Sequence, residues 1–282
     1  MATVAVTHFS DRLADAVARK QSQLVVGLDP VVERLPDEVG SDIARFCFGI
    51  VDAVAEHAVA VKPQSAFFEA LGSDGVRAFE QVCAYARTVG LLVIADVKRG
   101  DIGATAQAYA DAFIPLADAI TVNPYLGRDS LEPFVDACRR EGAGMFCLVK
   151  TSNPGSADVQ DVRLANGRLL WQHVADIVRE LGESLVGECG LSSVGAVVGA
   201  TFPPEVAEAR QLLPQSPLLL PGIGAQGGVP GEVASAFSAG QASALLSASR
   251  SVIYASSGPD WREAAGAEAE RLAREAWHVS RA

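Results

Sequence analysis

Leu91-Leu92-Val93-Ile94-Ala95-Asp96-Val97-Lys98-Arg99-Gly100-Asp101-Ile102 opens as an unbroken apolar run and closes on alternating charges. The run from Leu91 to Ala95 reads as a β-strand buried on both faces, the pattern of a parallel sheet covered by helices. Residues two apart on a strand share a face, so Asp96 and Lys98 are expected to point the same way. An unpaired charge is costly to bury. A buried strand that ends in acid and base therefore marks a site.

The same punctuation recurs outward in both directions. Short apolar runs occupy Leu24–Leu28, Ala58–Val61, Ala119–Val122, Met145–Val149, Val194–Gly199, Leu218–Pro221 and Ala244–Leu246. Between them, residues such as Phe46, Cys47, Ile50, Val51 and Val54, or Trp171, Val174, Ile177, Val178 and Leu181, follow helical spacing. Gly90, Gly182 and Gly240 stand where helices should stop. About eight strands alternating with helices predict an α/β fold, a (β/α)8 TIM barrel forming a single domain over residues 1–282. A doubly wound open sheet is the alternative, but no G-x-G-x-x-G follows an early strand. Gly222, Gly224, Gly227 and Gly228 come near that pattern after a late strand, where barrels often place a phosphate site. A helix over Ala14–Lys20 is expected to cap the barrel floor, and an amphipathic helix over Asp260–His278 to close the chain. Residues 151–168 form a long polar connection, a length that often carries function.

Composition narrows the function. With 49% hydrophobic and 20% charged residues, the chain has an ordinary globular balance. A net charge of −11 argues against nucleic-acid or anionic-membrane binding, yet a few focused cations can still bind a small anion. The cysteines Cys47, Cys83, Cys138, Cys147 and Cys189 form no C-x-x-C pair and read as reduced core thiols. No apolar run approaches the roughly 20 residues of a membrane span, and Met1–Ser10 lacks signal-peptide order. A cytoplasmic location is expected.

In a barrel, chemistry collects where strands end. Those ends here carry Asp29, Lys62 with Gln64, Asp96 with Lys98, Asn123, Lys150 through Asn153, Pro221 through Gly224, and Ser249 with Arg250. Each has a bland reading. Asp29 can open a turn before Pro30, Asp101 can cap a helix starting near Gly103, and Lys62, Lys150 and Arg250 can be half-exposed cations. For Lys150 the bland reading is preferred. For Asp96, Lys98, Asp101 and Lys62 the functional one is, because four charges at neighbouring strand ends are hard to explain as packing.

Asp-x-Lys-x-x-Asp-Ile-x-x-Thr over Asp96–Thr105 resembles the active-site segment of the orotidine 5′-phosphate decarboxylase family. So do Gly27-Leu28-Asp29-Pro30, Val61-Lys62-Pro63, Pro221-Gly222-Ile223-Gly224 with Gln226, and Arg250, and the likeness spans nearly the whole chain. Val149-Lys150-Thr151-Ser152-Asn153-Pro154-Gly155 is similar to the longer bacterial branch, while Ser249 stands where other branches have glycine. The resemblance implies decarboxylation of orotidine 5′-phosphate to uridine 5′-phosphate with no metal and no cofactor. It implies Lys98 as proton donor, flanked by Asp96 and joined by Lys62 in an alternating charge network. Asp29 and Lys62 would hold ribose hydroxyls, Ser152 and Gln226 would contact the pyrimidine, Pro221 would pack on it, and Arg250 would bind the phosphate. Asp101 and Thr105, four apart and expected on one helix face, would reach the neighbouring site of a homodimer.

Three rivals compete. A sugar-phosphate decarboxylase or synthase on the same barrel would use acids to hold Mg²⁺. A Schiff-base aldolase would use Lys98 or Lys150, although flanking acids keep an amine charged. A phosphate-binding barrel without turnover would have no need of alternating charges.

Overall fold

The computed structural model describes residues 6–224 and 227–281. Eight parallel strands close into a barrel in sequential order: β1 (Leu24–Leu28), β2 (Ala60–Pro63), β3 (Leu92–Arg99), β4 (Ala119–Val122), β5 (Gly144–Lys150), β6 (Val194–Val198), β7 (Leu218–Pro221) and β8 (Ala244–Ala248), with β1 paired to β8. The predicted barrel is therefore the observed one. Helix α1 (Phe9–Lys20) precedes β1, and α2 (Ile43–Val54) follows it. The short α3 (Ser65–Glu69) and the long α4 (Gly72–Thr88) join β2 to β3. Next come α5 (Gly103–Phe113), α6 (Arg128–Glu141), α7 (Ala157–Gln160), α8 (Leu170–Gly182) and α9 (Pro203–Leu212). A 3₁₀ segment, Pro230–Phe237, joins β7 to β8, and α10 (Arg250–Ile253) and α11 (Trp261–Val279) end the fold.

Strand alternation builds two apolar layers. Val26, Val61, Val93, Ile120 and Cys147 face the helices and form the outer core. Val25, Ala60, Ile94, Ala119, Phe146, Leu219 and Leu245 face inward and pack around Phe9, Leu13, Ala16 and Val17 of α1. That helix plugs the floor, as expected, with Phe9 edge-on to Phe146 at 6.0 Å between ring centroids. The other end of the barrel is left for polar groups. Inward positions beyond the apolar layer become Lys62, Asp96, Thr121 and Ser247.

Helix α8 stops at Gly182, as expected, although the chain runs on into a 3₁₀ turn, Glu183–Leu185, in place of a left-handed cap. The missing side chain of Gly182 admits Ser192, whose hydroxyl donates to the Gly182 carbonyl at 2.8 Å. Asp101 is not a helix cap: Ile102 holds that position, and the Asp101 carboxylate accepts from the Ile102 N–H at 2.8 Å. Cys47, Cys83, Cys138 and Cys147 are buried free thiols, and Cys189 is exposed.

Candidate active site

A cavity of about 300 Å³ opens at the C-terminal ends of the strands. Its charged lining is three cations, Lys62, Lys98 and Arg250, against two carboxylates, Asp29 and Asp96. In a chain of net charge −11, this is a local cationic focus.

The centre of the site is a triad built on the buried carboxylate of Asp96. Asp96 Oδ2 accepts from Lys62 Nζ at 2.5 Å, and Asp96 Oδ1 accepts from Lys98 Nζ at 2.5 Å. Gln64 Nε2 adds a second bond to Oδ2 at 3.1 Å. Register explains the meeting: Gln64 bridges to Asp96 across β2 and β3, and Lys62 lies one inward step earlier. Burial alone would raise the Asp96 carboxyl, but Lys62 and Lys98 overcome it and hold it down to about 2. Burial works equally against charge on Lys62; Asp96 and Asp29 outweigh it and hold that ammonium above the ordinary lysine range. The side chains of Lys62 and Asp96 are 9% and 5% exposed, whereas Lys98 is 42% exposed and presents its amine to the cavity.

Simple alternation does not account for Lys98. The β3–β4 register shifts between Ala95 and Arg99, and Lys98 has φ of +43°. A left-handed lysine is strained by about 1–3 kcal/mol and persists only where its surroundings impose it. Thr121 is that surrounding. Its hydroxyl accepts the Lys98 N–H at 2.9 Å and donates to Asp96 Oδ1 at 3.0 Å. Sequence reasoning missed Thr121, although it is the sole polar residue in the β4 run Ala119–Val122.

The β1–β8 seam supplies a second polar group. Ser249 donates to Asp29 Oδ2 at 2.6 Å, while Asp29 Oδ1 is buried with no partner. The seam is this tight because Gly27 has no side chain; a Cβ there would stand 2.8 Å from the Ser249 Cβ. Nearby, Gly222, Gly224 and Gly227 take φ of +107°, +75° and +90°, the backbone of a tight turn closed by Gly228 N–H donating to the Gly222 carbonyl. The Ser251 hydroxyl lies against Gly224, buried and without a partner. Oxygens left unsatisfied in this way are natural contacts for a bound polar ligand.

The structure brings Asp29, Lys62, Asp96, Lys98, Ser152, Pro221 and Arg250 to one cavity. Asp101 and Thr105 are not in its lining. Helix α5 begins at Gly103, so Asp101 precedes the helix instead of sharing its face with Thr105. Gln226 lies outside the described residues. Lys150 is not a half-exposed cation: it is 3% exposed, and its ammonium donates to Asp161 at 2.6 Å, away from the cavity lining. Thr151 and Gln160 add two bonds, Thr151 N–H to Gln160 Oε1 at 2.9 Å and Gln160 Nε2 to the Thr151 hydroxyl at 2.8 Å. The long connection after β5 is thus tied back beside Ser152. Among the described residues, no group of three or more His, Cys, Asp or Glu side chains is arranged to hold a metal ion.

Residues 22–265 match the sequence model of the family described as orotidine 5′-phosphate decarboxylase / HUMPS. An orotidine 5′-phosphate decarboxylase of Rhodopirellula baltica is 46% identical over 88% of this chain and 88% of its own length. That of Haloarcula marismortui is 45% identical over 94% of this chain and 97% of its own. A crystal structure from Streptomyces avermitilis, 40% identical, superposes with a TM-score of 0.87 over 100% of this chain and 99% of that one.

Proposed function

This chain belongs to the orotidine 5′-phosphate decarboxylase / HUMPS family and decarboxylates orotidine 5′-phosphate in pyrimidine biosynthesis; on that premise we infer that Lys98 is the acid that protonates C6 of the pyrimidine. The relatives favour this reaction over a magnesium-dependent sugar-phosphate one. One observation carries the role: the Lys98 amine stands in the cavity, held by a carboxylate that is itself held by a second lysine.

Heterolysis of the C6–carboxylate bond releases CO₂ and leaves the electron pair on C6, in the plane of the ring. The ring π-system cannot spread that pair. A fixed ammonium stabilises it and then supplies the proton, and the amine regains a proton from solvent. Asp96 orients Lys98, and the flanking cations keep Asp96 ionised. The barrier reduction required lies toward the top of the ~8–23 kcal/mol range of enzymes, more than one lysine supplies. Binding of the distant phosphate must therefore help order the site.

Around this centre, Asp29 and Lys62 hold ribose hydroxyls, the first through its free Oδ1. Ser152 and Gln226 contact the base, Pro221 packs on it, and Arg250 with the glycine turn receives the phosphate. Asp101 and Thr105 serve the site of a second copy. Their absence from their own cavity supports this, as does the exposure of Ile102 beside them and of Tyr125 and Leu126 on the next connection. A cytoplasmic place suits such an enzyme; no helix among the described residues is long and apolar enough to cross a membrane.

The test is uridine 5′-phosphate formation by the purified protein without added metal or cofactor, repeated with Lys98→Ala. The variant is expected to bind uridine 5′-phosphate and to lose nearly all turnover. Ordinary turnover by Lys98→Ala would overturn the assignment.

A further inference from the structure

Arg34 lies in the 3₁₀ turn Val32–Arg34, on the connection that follows β1. Its guanidinium sits over the Tyr254 ring, 3.8 Å from the centroid. Tyr254 is itself fastened to that connection. Its hydroxyl accepts the Val31 N–H at 2.7 Å and donates to the Asp29 carbonyl at 3.1 Å. The ring thus provides a platform that holds an exposed arginine in one place.

Beside this platform is a cavity of about 240 Å³ lined by Asp29, Val31, Arg34, Phe67, Arg250 and Tyr254. Asp29 and Arg250 also wall the main cavity, so the two spaces meet at these residues. Arg34 and Arg250 therefore border one small space. Among the described residues neither makes an ion pair with a carboxylate. The acid in the lining of this space, Asp29, already accepts from Ser249. Two guanidiniums brought to one cavity repel each other unless an anion lies between them. A phosphate monoester carries about −1.5 to −2 charges at neutral pH, more than one arginine balances. Guanidinium forks suit phosphate oxygens in number and direction.

We propose that Arg34 is a second anchor for the substrate's 5′-phosphate, meeting it from the β1 side while Arg250 meets it from the β8 side. The inference rests on the phosphate assignment made above. Arg34 is a binding residue that selects the charged monophosphate over the uncharged nucleoside. Closing on the dianion, it would also draw the β1 connection, and Asp29 with it, onto the ribose.

The test compares inhibition by uridine 5′-phosphate and by uridine in wild type, Arg34→Met, Arg34→Lys and Arg250→Ala. Methionine keeps an unbranched stem over Tyr254 and removes the charge. Arg34→Met is expected to weaken uridine 5′-phosphate on the order of ten- to a hundredfold, the scale of one charged hydrogen-bonding group. Uridine should be unaffected, and Arg34→Lys should recover part of the loss. Equal weakening of both ligands would reduce Arg34 to packing on Tyr254 and overturn the proposal, as would unchanged affinity for both. If Arg250→Ala discriminates between the ligands and Arg34→Met does not, the Arg34 inference alone fails. If Arg250→Ala does not discriminate either, the phosphate assignment fails and takes this inference with it.

Discussion

Replacing Thr121 by valine removes one hydroxyl and nearly nothing else in shape, yet it should reach the reacting amine. Thr121 is 1% exposed, and both of its hydroxyl bonds lie in the site. Asp96 Oδ1 keeps Lys98 Nζ when the hydroxyl goes, so its loss is small. The Lys98 N–H loses its acceptor, a part-buried bond whose net worth is about 0.5–1.5 kcal/mol. That bond also opposes the strain of the left-handed backbone at Lys98. Once it is gone, the backbone can relax and carry the amine with it. A displacement of about 1 Å at a catalytic group lowers the rate on the order of a hundredfold. Thr121→Val should therefore unfold a few degrees lower, at roughly 2–4 °C per kcal/mol, and lose kcat by that larger factor. Thr121→Ser, which can make both bonds, should keep most of each. Thermal unfolding and initial rates of orotidine 5′-phosphate consumption read the two effects separately. A Thr121→Val enzyme that is less stable but turns over as fast as wild type would refute the link between this hydroxyl and Lys98.

Three further outcomes are expected. Asp96 is held at about 2, below the ~3.9 of an unfolded chain, so its stabilisation of about 2 kcal/mol is complete above pH ~4 and lost as pH falls toward 2; the urea midpoints of wild type and Asp96→Asn should converge over that window, and a pH-independent gap would contradict the charge network. Lys98→Ala and Asp101→Ala subunits, each inactive alone, should regain on the order of a quarter of wild-type activity when mixed and reassembled, because half of random dimers carry one intact site; no recovery in verified mixed dimers would remove Asp101 from the partner's site. Lys150→Met should free residues 151–168 from their tie to Asp161, seen as faster amide exchange there and a KM raised several-fold with small loss of stability; unchanged exchange would show that the ion pair does not hold this connection.

The barrel was legible because parallel strands covered on both sides are written as unbroken apolar runs. The bounds read for β1, β4 and β7 are those observed. The charged strand ends were legible for the same reason: a lysine or aspartate that interrupts such a run is seldom there for packing. What escaped reading depends on contacts between distant residues. Nothing local distinguishes Thr121 from a threonine that merely suits a strand, until Asp96 and the Lys98 N–H are brought to it. Lys150 looked like a surface cation because its partner, Asp161, lies on an irregular connection with no periodicity to place it. The left-handed turn at Lys98 has no local signal at all, since glycine and asparagine, which favour that region, are absent from the position.

Closure of the ring has a consequence for how the protein comes into being. Ser249 and Asp29 are 220 residues apart along the chain, yet they share a hydrogen bond across the β1–β8 seam. During synthesis, the half that carries the triad leaves the ribosome long before the half that carries Arg250. The cavity, which Arg250 and Ser249 help to wall, is therefore complete only once the last strand docks against the first. Docking of that seam is thus a late, long-range event that the function has to await.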